Sequence, residues 1–270
     1  IRLPKHNSIT CLCFLSACAS HRALSHGMFL HTYMIELGYV LNVIMVTAIL
    51  TMYGRCGSLE DAFMMFERVP NLNLVSWNAM IATFAQCGKS AHSISLWEKM
   101  ICEGFTPDKV TFVSLIDACA KQMALIEGIR LHACVHVLRY DRDIVIGTAL
   151  VSMYGKCGVL GEAENVFFSL LEPNIVTWTT MLSVYTTWGE SENALWLYQH
   201  ALRKEQVGMS DMTLTCILQA CGISGNLDIS QEVHFSLTSA GYESVPFVAP
   251  TLIHAYRSCA RMSDAKTVFL

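Results

Sequence analysis

The sequence predicts an all-α solenoid of stacked helix–turn–helix hairpins. Three observations carry this. First, Trp77, Met80, Ile81 and Phe84 stand at i, i+3, i+4 and i+7, which is one face of a helix. Cys87, Gly88 and Lys89 interrupt the pattern, and Gly tolerates the positive φ of a helix end. Ile94, Trp97, Met100 and Ile101 then give a second amphipathic run, closed by Gly104 and Pro107. Second, the unit recurs: Val75, Trp77, Met80, Gly88 and Leu96 return as Val176, Trp178, Met181, Gly189 and Leu197. Third, the units between them recur as well, so the chain repeats in blocks of 101 residues built from units of 35, 35 and 31. One such hairpin is too small to bury its own apolar faces and needs neighbours of the same kind.

The units follow in order. Residues 1–7 read as the tail of a preceding hairpin. The unit 8–42 opens a helix with Leu12, Leu15 and Ser16. The short unit 43–73 turns at 54–57, and Ser58 with Glu60 and Asp61 reads as an N-cap and acidic first turn. The unit 74–108 is the hairpin described above. In 109–143, Phe112, Leu115, Ile116 and Cys119 hold the helical spacing, and in 144–174 Leu150, Met153, Tyr154 and Cys157 do so. The unit 175–210 is one residue longer than its counterpart, with the irregularity expected near 205–208. The unit 211–245 follows, and 246–270 is an incomplete short unit. There is no low-complexity linker, so one continuous array is expected, a fragment of a longer one.

Composition limits the alternatives. The 270 residues are 53% hydrophobic with a net charge of −4. The longest apolar stretch, 40–50, is broken by Asn42 and Thr47, so no membrane span is expected. Nothing at the start reads as a targeting segment. Six of the twelve cysteines are three-fold repeats of two positions: Cys18, Cys119 and Cys221, then Cys56, Cys157 and Cys259. Periodic Cys in a helical array suits the core, since free Cys is small and readily buried. No C-x-x-C occurs, and His31, His132 and His234 stand three hairpins apart, so neither a zinc site nor any other cofactor is expected. Packing or capping suits these histidines better.

The stretches VSWNAMI (75–81) with GFTPD (104–108), VTFVSLIDACA (110–120) and ALVSMYGKCGVLGEAENVF (149–167) resemble the pentatricopeptide repeat family, in the plant subclass that alternates long-type, short and standard motifs. The resemblance covers 8–270. It makes 8–42, 109–143 and 211–245 long-type, 43–73, 144–174 and 246–270 short, and 74–108 and 175–210 standard motifs. It implies a right-handed superhelix of these hairpins that binds single-stranded RNA, one base per motif. It further implies a mitochondrial or chloroplast factor in RNA processing or C-to-U editing, working with other proteins of that process.

In that family the readers are the fifth and last residues of a motif. Here they are Thr47 with Asn73, Asn78 with Asp108, Thr148 with Asn174, and Thr179 with Ser210. The family's code reads Thr with Asn as adenine and Asn with Asp as uridine, while Thr with Ser leans to purine. Chemistry agrees in direction, because Asp only accepts and suits the imino N–H of uracil, whereas Asn offers donor and acceptor. The long-type motifs offer Leu12 with Asn42, Val113 with Asp143 and Thr215 with Val245, and are assigned no base. The expected core is any, A, U, any, A, purine. An apolar residue at position two can wedge between bases: Ile44, Val75, Val145 and Val176. Core or staple packing is the competing reading for these four, as helix capping is for Asn78 and Asp108.

The net charge departs from the basic surface common in RNA binders. Phosphate affinity needs only local positive charge, and Arg55, Lys121 and Lys156 share position thirteen. Two further readings stand beside RNA recognition. A zinc deaminase needs H-x-E and C-x-x-C, and both are missing, so the chain itself is not expected to be an enzyme. A protein-binding scaffold within an RNA-processing complex would make the reader positions irrelevant to RNA.

Overall fold

The structure, a computed structural model, describes residues 8–38, 43–69, 72–199, 210–239, 241 and 248–269. The expectations for 1–7, for Asn42, for the irregularity near 205–208 and for Val245 lie outside these. The described residues are helical, with no strand among them. They fall into two compact units, Ile1–Leu138 and Arg139–Leu270, and each is described by itself.

The first unit holds four hairpins: α1 (Ser8–His21) with α2 (Leu24–Glu36), α3 (Val43–Arg55) with α4 (Leu59–Glu67), α5 (Leu74–Gln86) with α6 (Ser90–Cys102), and α7 (Lys109–Gln122) with α8 (Leu125–Val137). The second holds α9 (Ile144–Lys156) with α10 (Leu160–Ser169), α11 (Ile175–Thr187) with α12 (Ser191–Leu197), α13 (Asp211–Ser224) with α14 (Leu227–Ser239), and α15 (Val248–Ser258) with α16 (Met262–Phe269). Within each unit the first helices of successive hairpins pack side by side. The second helix of a hairpin also leans on the first helix of the next, as α2 does on α3 and α14 on α15.

The helix ends follow from local chemistry. Gly88 ends the α5 turn at φ 70°, as the break in periodicity predicts. Ser58 does stand at the N-cap of α4, but its hydroxyl donates to Asp61 rather than accepting from the backbone. In α1 the buried residues are Cys11, Leu15 and Ala19, and Leu12 and Ser16 are not among them. The core is a repeated aromatic contact: Phe66 meets Trp77 edge-on at 4.9 Å, and Phe167 meets Trp178 at the same 4.9 Å. Such pairs tie the second helix of one hairpin to the first helix of the next.

Close approach of first helices depends on glycines, as at Gly54 and Gly155. A Cβ on Gly54 would lie 2.3 Å from Thr83 Cγ2, and one on Gly155 would lie 2.2 Å from Val184 Cγ2. The repeated cysteines divide: Cys119 and Cys221 are fully buried, and Cys18, Cys56, Cys157 and Cys259 are half-buried. All twelve are free thiols, and burial pushes Cys221 up to about 12. The repeated histidines pack as well. His31 Nδ1 and Tyr53 Oη lie 2.8 Å apart, and His234 and Tyr256 repeat the pair at 2.8 Å.

Two outcomes follow from this packing. Gly155→Ala is expected to cost about 1–3 kcal/mol by overpacking, measured by urea unfolding, and adding Val184→Ala should recover part of that loss. Burial holds His31 below its ordinary value of 6.5, favouring the neutral ring. The unfolded chain then takes up the proton first, so this contribution to stability is complete above pH 6.5 and declines as the pH falls below it. The urea midpoint of the protein should therefore fall more steeply below that pH than the midpoint of His31→Gln.

Candidate nucleic-acid interface

Among the described residues, the last residue of a predicted motif (Asn73, Asp108, Asp143, Asn174 or Ser210) sits in extended backbone just before a first helix. There it caps that helix with its side chain. Asn73 accepts from the Ser76 amide at 3.0 Å, Asp108 from the Thr111 amide at 2.9 Å, Asn174 from the Thr177 amide at 3.0 Å and Ser210 from the Thr213 amide at 3.2 Å. Asp143 caps α9 in the same way, through the Val145 and Ile146 amides. The capping expectation for Asp108 is thus met, and it does not compete with a second role. Asn73, Asp108 and Asn174 each use one oxygen to hold the helix and carry a second polar atom besides, whereas Ser210 caps with its single hydroxyl.

The fifth residue, one turn into the preceding first helix, comes to the same place. Asn78 Nδ2 donates to Asp108 Oδ1 at 3.0 Å. Thr111 Oγ1 lies 2.6 Å from Asn78 Oδ1 and 2.9 Å from Asp108 Oδ1, and accepts from the Asp108 amide at 3.1 Å, which completes a capping box. Asp108 Oδ1 is thereby filled, while Oδ2 takes no hydrogen bond from a described residue. The same constellation recurs in the second unit. Thr148 Oγ1 and Thr177 Oγ1 are 2.7 Å apart, and Thr177 Oγ1 reaches Asn174 Oδ1 at 3.0 Å. Thr179 and Thr213 are 2.7 Å apart, and Thr213 meets Ser210 at 2.9 Å. The fourth pair is looser: Asn73 bonds Ser76 Oγ at 3.1 Å, and Thr47 donates to the Val43 carbonyl at 2.8 Å.

The structure therefore brings Asn78 to Asp108 directly. It joins Thr148 to Asn174 and Thr179 to Ser210 through a third residue. That third residue, a hydroxyl at position three of the following motif, was missed by reading the sequence. Ser76, Thr111, Thr177 and Thr213 are all fully buried. Their recurrence at one register position was the available signal, and it was masked because Ser and Thr are ordinary in a first helical turn.

The four wedge candidates are not core. Ile44, Val75, Val145 and Val176 are 62%, 53%, 60% and 59% exposed. Ile9, Val110 and Met212, at the same register position, are also exposed. In the second unit Val176 and Met212 flank Thr179 and Ser210 along a concavity of about 540 Å³ that also includes Lys156. In the first unit Ile44, Val75, Thr47 and Arg55 share a concavity of about 500 Å³. Lys121 is exposed in the last turn of α7. Each concavity thus offers a polar floor, apolar ribs and one cation. Among the described residues no group of three or more His, Cys, Asp or Glu could hold a metal ion, and no helix is long and apolar enough to cross a membrane.

Comparison with known proteins now decides the family. The PPR repeat family model matches residues 72–121, and the PPR repeat model matches 44–74, 148–175 and 176–205, together about half of the chain. The chain belongs to the pentatricopeptide repeat family. It is 32% identical over 253 residues to a chloroplastic pentatricopeptide repeat-containing protein of Arabidopsis thaliana, covering 94% of this chain and 30% of that one. It is 30% identical over 255 residues to a putative mitochondrial member from the same plant, covering 94% and 40%. The chain thus spans less than half the length of these pentatricopeptide relatives. Among solved structures it is similar to the pentatricopeptide repeat protein PPR10 from maize, with a TM-score of 0.55 at 20% identity over 90% of this chain and 40% of that one. It is also similar to PPR10 in complex with an 18-nucleotide psaJ RNA element, at 0.53 and 20% over 97% and 44%. These likenesses establish the α-solenoid fold.

The caps of this pentatricopeptide array make a stability measurement informative. Asn174→Ala is expected to cost about 1 kcal/mol through loss of the α11 cap, read from the urea midpoint. Asn174→Asp, which keeps a capping oxygen, should cost less.

Proposed function

We propose that this chain binds single-stranded RNA and reads one base per motif. The observation that carries the reading is the repeated meeting of a fifth and a last residue at the foot of adjacent first helices, with exposed apolar side chains on either side. Asp108 has Oδ1 filled and Oδ2 open, which suits acceptance of the uracil imino N–H. Asn174 has Oδ1 tied to Thr177 and keeps its Nδ2 donor for a purine acceptor. Ile44, Val75, Val145 and Val176 separate neighbouring bases, and Arg55, Lys121 and Lys156 answer phosphates without requiring a basic total. The target core is A and U at the first short and standard motifs, an unread base, then A and purine.

The motif order is that of the plant subclass alternating standard, long-type and short repeats. The chloroplastic and mitochondrial labels of its Arabidopsis relatives support an organelle setting. Within it the chain serves as the recognition part of an RNA-processing or C-to-U editing factor, and any chemistry is supplied by another domain or protein.

A gel-shift titration at one fixed salt concentration tests this. The RNA with the A-U-any-A-purine core should bind about tenfold more tightly than the same RNA with U changed to G, the range of one well-made base contact. Asn78→Thr should move the preference toward G. Equal binding to both RNAs would overturn the assigned register, and binding to neither would favour the protein scaffold.

A further inference from the structure

Three hydroxyls remain unexplained by the reading above. Thr111, Thr177 and Thr213 are fully buried, and each is hydrogen-bonded to both side chains assigned to one base. None is itself a reader. We propose that the hydroxyl at position three of a following hairpin is a specificity-determining positioning residue for the base read by the preceding pair. The inference rests on the base-reading function and deepens it.

Counting protons gives the mechanism. Each threonine has one hydroxyl proton. Thr148 Oγ1 reaches the Ile144 carbonyl at 2.7 Å and Thr177 Oγ1 at 2.7 Å. Thr177 Oγ1 has Thr148 Oγ1 and Asn174 Oδ1 within reach. If Thr148 donates to Ile144, Thr177 donates to Thr148. If Thr148 donates to Thr177, Thr177 donates to Asn174. In both arrangements the Thr148 proton is spent inside the protein, so Thr148 offers the base lone pairs alone. In both, Asn174 Oδ1 faces inward on the Thr177 amide, and Nδ2 is the group left to present. The bridge thus fixes an acceptor and a donor side by side. At the Asn78 pair the outcome is analogous: Thr111 claims Asn78 Oδ1, which turns the amide nitrogen toward Asp108.

The sequence carries an independent sign of this coupling. Polar fifth residues Thr47, Asn78, Thr148 and Thr179 are followed, in the next motif, by Ser76, Thr111, Thr177 and Thr213 at position three. The apolar fifth residues Leu12 and Val113 are followed by Met45 and Ile146. A hydroxyl follows each assigned reader, and a side chain without one follows each apolar fifth residue. Thr215 is polar but is followed by Val248, and among the described residues its hydroxyl donates to the Asp211 carbonyl at 2.7 Å.

The test uses the 270-residue chain and RNAs that differ at a single base, read by fluorescence anisotropy at one salt concentration. Thr177→Val keeps the side-chain shape and the amide cap while removing the hydroxyl. It should reduce the preference for adenine at the Thr148 and Asn174 motif by roughly five- to tenfold, the worth of one net hydrogen bond. The uridine preference at Asn78 and Asp108 should be unchanged in the same protein, and Thr177→Ser should restore the adenine preference. A merely structural threonine would lower affinity for every RNA alike. If Thr177→Val keeps its adenine preference while the parent shows it too, the positioning role is overturned and base reading stands. If the parent prefers no base at either motif, base reading itself fails and the positioning role fails with it. Should Thr177→Val lose its helical circular dichroism, Thr213→Val at the Thr179 and Ser210 motif decides by the same criterion.

Discussion

Neighbouring first helices approach until Gly54 faces Thr83 and Gly155 faces Val184. That proximity governs what the rest of the molecule can do. It lets Trp77 and Trp178 seat against Phe66 and Phe167 of the preceding hairpin, so each apolar face is closed by a neighbour. It also sets the spacing between a fifth residue on one helix and the cap of the next. Were the helices held apart by even one methyl group, Thr148 and Thr177 could not meet at 2.7 Å. Packing of the interior and geometry of the polar floor are therefore one problem with one solution.

The caps show the economy of that solution. Asp108 spends one oxygen on the Thr111 amide and the Asn78 side chain and leaves the other outward. Asn174 spends its oxygen and leaves its amide nitrogen. A helix N-terminus needs an acceptor from a short polar side chain, and a base edge needs a short polar side chain held still. On the proposed reading both demands fall on the same residue, because the helix start is where the chain meets the previous hairpin. The buried hydroxyls of Thr111, Thr177 and Thr213 hold these side chains in place, so on the proposed reading little further ordering is needed when RNA binds.

The hairpins were legible in the sequence because i, i+3, i+4, i+7 spacing and the glycines that end helices are local signals, as at Trp77 to Gly88. The pairing of Asn78 with Asp108 was expected through family resemblance, and the structure joins the two side chains. What remained hidden depends on contact between helices. Val75 and Val176 precede buried Ser76 and Thr177 in the first turn, and an apolar residue there reads equally as staple or as exposed rib. Only the packing direction of the helix settles that it is exposed. His31 and Tyr53 stand 22 residues apart, a separation with no helical or strand meaning, so their hydrogen bond could not be foreseen. Thr111 and Thr177 looked like ordinary first-turn residues for the same reason. Ser58 shows the converse: the cap signal was right about position and silent about which partner its hydroxyl would choose.

Because Asn73, Asp108, Asn174 and Ser210 are helix caps, on the proposed reading the array's evolutionary vocabulary at that position is narrowed by folding before any RNA is met. Asn, Asp, Ser and Thr stop a helix end from fraying, and larger or apolar side chains do not. A lineage drifting toward a new transcript can exchange one short polar residue for another without losing its scaffold, and can do little else there. The degeneracy of such a recognition alphabet, with few letters and overlapping meanings, is then a property inherited from helix termini rather than from nucleotides.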